Sequence, residues 1–302
     1  MKKNRILSTV AIGAVLALGL TACGSDPTKA SGGSSSQIVV GSASFGESEI
    51  LAEIYAGALK AKGFNASTHL DIGQREAYLG ALSDGTISLF PEYSGNLLAY
   101  YDKTSTASAP ADVLTALKKV LPATIVALDP STAEDKDSYN VTAATAAQYG
   151  LSSIGDLAKV PNLKLAANPE FKIRSYGIPG LGSVYGVKNV AFTAINDSGG
   201  AATLKTLTSG QVNVADIYST TPSITANHLV TLDDPKHLIA AQNVLPIIRK
   251  DHDSAAVDAV INAVSAKLTT AALLQLNTAF YGADKPSAAS VAQAWLKANG
   301  FA

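Results

Sequence analysis

Four tyrosines stand where simple packing does not account for them: Tyr93 in "PEYSG", Tyr139 in "DKDSYNV", Tyr185 in "SVYGV" and Tyr218 in "DIYST". Each falls in a turn-like or strand-end context. Tyr55 lies on the apolar stripe of a helix, and Tyr78, Tyr100, Tyr101, Tyr149 and Tyr281 sit in helical stretches where a core role suffices. Aromatic faces gathered round a pocket suit a cation that has no N–H to donate. A quaternary ammonium is such a cation, and each ring contributes about 0.5–2 kcal/mol. The same tyrosines could instead hydrogen-bond an amino acid or another polar solute through their hydroxyls.

Catalytic chemistry finds little support. The chain contains no G-x-S-x-G, H-E-x-x-H or C-x-x-C pattern. His69, His228, His237 and His252 are scattered singly, without metal-ligand spacing. "GLGSVYG" has the spacing G-x-G-x-x-x-G, and no strand leads into it. Asp233-Asp234 precede Pro235, where turn formation explains them. A cell-surface hydrolase would need an activated nucleophile or a metal, and no residue set calls for a metal or a cofactor. The net charge of −1, without basic runs, argues against a nucleic-acid partner.

The elements that must position these residues alternate. Over 302 residues, 47% of them hydrophobic, the chain suits about two domains. "QIVVGSA" reads as a strand. "ESEILAEIYAGALKAKG" places Ile50, Leu51, Ile54, Tyr55, Ala58 and Leu59 on one helical face. "STHLDIG" and "TISLFPEY" read as further strands, with the helical "QREAYLGALSDG" between them, and Pro-Glu-Tyr-Ser-Gly reads as a turn ending the second. Helices follow at 95–101 and 111–121, and a strand at 123–128. The second half repeats the pattern, with strands at "LKLAA", "VNVADIYS" and "NVLPIIRK" and a helical C-terminal region. This is an α/β class with open sheets flanked by helices, whose ligands sit at the carboxyl ends of strands.

The N-terminus has its own logic. "MKKNR" is basic and "ILSTVAIGAVLALGL" is apolar, but at 15 residues it is short of the roughly 20 a membrane-spanning helix needs. It ends in "LTAC" followed by Gly24, which resembles a bacterial lipoprotein signal. The reading is a signal segment over 1–22, lipidation at Cys23, the chain's single cysteine, and a Gly/Ser-rich tether over 23–37. The remainder is then an extracytoplasmic body anchored to the cell membrane.

Several blocks carry a resemblance. "IVVGSASFGESEILAEIYAGALKAKG", "GQREAYLGALSDGTISLFPEYSG" and "LVTLDDPKHLIAAQNVLPIIR" occur in order, and from about Ile38 onward the chain resembles the substrate-binding proteins of ABC importers for glycine betaine, carnitine and choline. The resemblance implies a two-lobed periplasmic-binding-protein fold of type II with two chain crossings at the hinge. Lobe one would comprise residues 38–138 and 240–302, and lobe two 139–239. It implies a monomer that closes on a small quaternary ammonium and delivers it to permease and ATPase subunits. Its aromatic cage maps onto Tyr93, Tyr139, Tyr185 and Tyr218, with Asp137 beside it. Arg174 in "EFKIRSYG" matches an arginine that can bind a ligand carboxylate. The chain departs from the family where Ala43 replaces a lysine in "GSASF", Asn96 replaces a threonine, and Thr220-Thr221 replace Thr-Asp. Asn96, Ser42 and Ser44 then complete the polar end. These departures thin the carboxylate end and leave choline or a bulkier betaine in contention.

Overall fold

The computed structural model describes residues 37–301. The signal segment, Cys23 and all but the last residue of the tether lie outside them. The first strands and helices are β1 (Ile38–Gly41), α1 (Gly46–Ala61), β2 (Ala66–His69), α2 (Arg75–Asp84), β3 (Leu89–Tyr93), α3 (Ser94–Tyr101), α4 (Pro110–Val120) and β4 (Ile125–Ala127). Next come β5 (Tyr139–Thr142), α5 (Ala143–Tyr149), β6 (Lys164–Ala167), α6 (Ile178–Tyr185), β7 (Ala191–Ala194), α7 (Ala201–Thr208), β8 (Val214–Asp216), α8 (Ser223–Ala226) and β9 (Leu229–Thr231). The chain ends with β10 (Val244–Arg249), α9 (Ala255–Ser265), α10 (Thr270–Phe280) and α11 (Ala288–Ala298).

Two mixed sheets result, ordered β2-β1-β3-β10-β4 and β7-β6-β8-β5-β9. The chain leaves the first sheet after β4 and returns to it at β10. The two crossing segments lie side by side: Glu134 and Asn243 form an antiparallel bridge, and the Asp135 N–H donates to the Gln242 carbonyl at 3.2 Å.

Side-chain alternation along the strands explains the layers. Leu89, Val244 and Ile248 face α1, α9, α10 and α11, whereas Phe90, Leu245 and Ile247 face α2, α3 and α4. The first sheet is thus covered on both sides. In the second, Val141, Leu165 and Val214 belong to one cluster, and Ala166 and Ala215 to another with Leu207 of α7.

Local chemistry sets the helix starts. Ser and Thr hydroxyls at Thr142, Ser254, Thr269 and Ser287 each accept the backbone N–H three residues on, opening α5, α9, α10 and α11. Helix α1 carries Glu47 and Glu49 in its first turn and Lys60 in its last, matching its dipole.

One expectation needs correction. Pro91-Glu92-Tyr93 is not a turn; it is the end of β3, and α3 begins immediately at Ser94. A proline in a central strand is tolerated here because Pro91 lies opposite Pro246 of β10. The Ser94 N–H donates to the Asn243 carbonyl at 3.0 Å, which fixes the hydrogen-bonded rungs at the alternate pairs. The two prolines therefore share a rung where neither strand needs an N–H.

Candidate functional site

A cavity of about 60 Å³ opens between the elements of the two sheets. That is several times the roughly 10–15 Å³ a single water needs. The loop after β1 supplies Phe45, the end of β3 supplies Tyr93, and α3 supplies Asn96. The first crossing segment supplies Asp135 and Asp137. From the second sheet's side come Phe171, Arg174, Tyr176 and Tyr218.

Three rings form a connected group. Phe45 lies 6.1 Å from Tyr93, tilted by 33°, and 5.4 Å from Tyr218, edge-on at 71°. Phe171 and Tyr176 form a second edge-on pair at 6.0 Å. A third pair, Tyr78 and Phe90, stacks at 3.9 Å.

Behind these rings lies a buried polar frame. Glu92 receives Arg75 Nε at 2.7 Å, Arg75 Nη2 at 3.1 Å and the Tyr78 hydroxyl at 2.8 Å. Glu47 accepts from the Tyr93 hydroxyl at 2.7 Å, the Thr220 hydroxyl at 2.6 Å and Asn277 Nδ2 at 2.6 Å. Both carboxylates come from the first sheet's elements and hold residues that reach the cavity.

The cavity is electrostatically acidic. Asp135, Asp137 and Glu170 line it, and its only lining cations among the described residues are Arg75 and Arg174. Arg75 is neutralised by Glu92. Burial pushes the carboxyls of Asp137, Asp135 and Glu47 above the ordinary range, and the neighbouring Glu47 charge pushes Asp135 further. Asp216, behind Asp137, is held well up by burial and by the Asp137 charge. These groups resist ionisation in the protein alone, and a cation placed among them favours their charged forms.

Arg174 is already engaged. Its Nη1 lies 2.8 Å from Glu76 Oε1 and its Nη2 lies 3.0 Å from Glu76 Oε2, a forked pair joining elements of the two sheets. Its Nε is buried without a hydrogen-bond partner among the described residues. Asn96 donates from Nδ2 to Asp137 Oδ2 at 2.7 Å, and its carbonyl accepts from Gln242 at 2.6 Å.

Of the residues singled out from sequence, Tyr93, Tyr218, Asp137, Asn96 and Arg174 line the cavity, and Tyr139, Tyr185, Ser42 and Ser44 do not. Tyr139 is buried behind it, edge-on to Phe171 at 5.7 Å, with its hydroxyl donating to the Tyr176 carbonyl at 2.9 Å. Because Tyr139 and Val141 share one face of β5, that face turns the tyrosine into the core cluster. Tyr185, at the end of α6, donates to Asp234 and accepts from the Lys236 N–H at 3.0 Å, with Lys236 Nζ 5.2 Å from its ring centroid. That contact holds the segment before the second crossing. The Ser42 hydroxyl accepts the Asp71 N–H at 2.9 Å, and Ser44 is half-buried in the following loop.

Phe45, Phe171 and Tyr176 were not singled out. The signals were nonetheless present: Phe45 closes "GSASF", and Phe171 and Tyr176 flank Arg174 in "EFKIRSYG".

Comparisons with known proteins converge on one class. A family model described as the substrate binding domain of ABC-type glycine betaine transport systems matches residues 36–298. The chain is 27% identical over 282 residues to the glycine betaine-binding protein YehZ of Escherichia coli K12, covering 88% of this chain and 92% of that protein. A solved structure of a glycine betaine/carnitine/choline ABC transporter superposes with a TM-score of 0.69 at 21% identity, covering 87% of this chain and 99% of that one. Lactococcal OpuAC, closed on glycine betaine, superposes with a TM-score of 0.63 at 15% identity, covering 87% and 96%. At such identities the superpositions speak for the fold, a periplasmic-binding-protein architecture of two helix-flanked mixed sheets.

Proposed function

The chain belongs to the family of substrate-binding domains of ABC-type glycine betaine transport systems, and from that premise we propose that it captures a quaternary-ammonium solute between its two lobes. Lobe one comprises residues 38–138 and 240–302, and lobe two 139–239. The single observation that carries the ligand class is the composition of the cavity wall. Phe45, Tyr93 and Tyr218 form a connected aromatic group beside the buried Asp137, and both lining arginines are already paired with glutamates.

The magnitudes are consistent. Three rings at about 0.5–2 kcal/mol each supply roughly 1.5–6 kcal/mol, against about 8 kcal/mol for micromolar binding. The carboxylate of Asp137 and apolar contact from Phe171 and Tyr176 supply the remainder. A solute without a cationic head gains little from this wall. Lobe closure joins Tyr93 and Phe45 to Tyr218 and Tyr176, so the cage is complete only in the closed form.

The carrier is anchored through a lipid on Cys23, works outside the cytoplasmic membrane as a monomer, and passes its solute to a permease driven by an ATPase. "LTAC" before Gly24 supports the anchor. Radiolabelled palmitate incorporated by the wild type and not by Cys23→Ala tests it.

Titration calorimetry with glycine betaine, choline, carnitine and proline betaine tests the ligand class. At least one binds in the micromolar range; millimolar or weaker binding of all four refutes the reading.

A further inference from the structure

The Glu76–Arg174 pair sits where the cavity meets an adjoining groove of about 360 Å³. Arg174, Asn96 and Tyr176 line both spaces, whereas Glu76 lines only the groove. A ligand whose cationic head occupies the cavity and whose tail enters this groove passes the pair. Glu76 takes both terminal nitrogens of the guanidinium, leaving the buried Nε without an acceptor among the described residues. The Arg174 side chain is 13% exposed and that of Glu76 is 55% exposed. The glutamate is thus the more solvent-exposed partner and the arginine the more buried one.

A ligand carboxylate entering the groove meets two obstacles. The fork it would bind bidentately is already filled, and the filling group carries the same charge as itself. The exposed Lys103 is the other cation lining the groove, and it offers a point charge rather than a planar fork. A carboxylate-free cation such as choline meets neither obstacle. Its hydroxyl can approach the negative Glu76 without repulsion, and its positive head lies on the same side of the pair as Asp137.

We propose that Glu76 is a specificity-determining residue, one that occupies Arg174 and so turns the site toward quaternary ammoniums without a carboxylate and away from zwitterionic betaines. The inference rests on the quaternary-ammonium reading of the cavity. It extends that reading to a residue outside the cage that acts through the arginine.

Calorimetric titration of the full chain, Glu76→Gln and the double variant Glu76→Gln/Arg174→Gln with choline and glycine betaine tests it. In Glu76→Gln the ratio of betaine affinity to choline affinity rises about tenfold, and in the double variant it returns to within about twofold of the wild type. A latch that merely holds the lobes together would shift both ligands by the same factor and leave the ratio unchanged, which overturns the proposal. So does a raised ratio that survives removal of Arg174. Failure of wild type and variants to bind either solute has a different meaning: it removes the reading of the cavity, and the specificity argument with it.

Discussion

The Tyr93 hydroxyl donates to Glu47 at 2.7 Å, so the ring that closes one side of the cavity is oriented by a fully buried carboxyl group. Among the described residues, Tyr218, on the other side of Phe45, has only a 3.5 Å contact from Asn168 Nδ2 to its hydroxyl. The two rings therefore respond differently to loss of the oxygen. Tyr93→Phe leaves Glu47 short of a donor and costs about 1–3 kcal/mol of folding stability, whereas Tyr218→Phe costs well under about 1 kcal/mol. Urea unfolding of both variants checks this. For ligand affinity Tyr218→Phe is the cleaner probe: a cage keeps its ring face and its affinity, and a hydrogen-bonding site loses it.

Arg75 and Glu92 form the frame beneath Tyr78, and both are buried. Replacing one member strands the other's charge. Glu92→Ala or Arg75→Ala is expected to lose about 3–5 kcal/mol, read as a lowered denaturation midpoint without a matching change in the steepness of the transition. A loss below about 1 kcal/mol would mean that the pair is not desolvated as described.

The acidic wall predicts a pH response. Asp137, Asp135, Glu47 and Asp216 are raised by burial above ordinary values of 3.8 and 4.5 for aspartate and glutamate. Between those values and the raised ones, the folded chain holds protons that the unfolded chain has released. Stability of the ligand-free protein therefore falls as pH rises through that window. Cation affinity runs the other way. Asp137, which faces Asp216, Arg75 and Asn96, must ionise to meet the ligand, so binding weakens as the solution is acidified through the same window. Calorimetry in buffers of different ionisation enthalpy should register proton release on binding. Proton uptake would contradict the assignment.

Tyr185 makes its contacts with Asp234 and Lys236, outside the cavity wall. Tyr185→Ala, which removes the ring itself, is expected to alter quaternary-ammonium affinity by less than about twofold, as separated sites do. A tenfold loss by calorimetry would return Tyr185 to the cage.

Much of the fold was legible because strongly patterned segments carry their own geometry. The stripe of α1 and the apolar runs of β3 and β10 are examples. The edge strands β7 and β9 were not, since at four and three residues they are too short for alternation to register and neither contains a buried residue. The site was partly legible for a related reason. A strand places successive side chains on opposite faces, and "DSYNV" alone does not reveal that Tyr139 pairs with Val141 on the core side. Nor does any local pattern show that Glu76 and Arg174, far apart in sequence, meet between elements of the two sheets. Phe45 and Tyr176 were hidden differently: a phenylalanine or tyrosine in a loop looks like ordinary packing until neighbouring rings converge on it.

The most direct measurement compares choline with 3,3-dimethylbutan-1-ol, which has the same shape but carries carbon in place of the charged nitrogen. Titrated into the same protein, choline should bind at least about thirtyfold more tightly, since only the charge engages the ring faces and Asp137. Equal affinities for the two would show that the cavity recognises bulk rather than a cation.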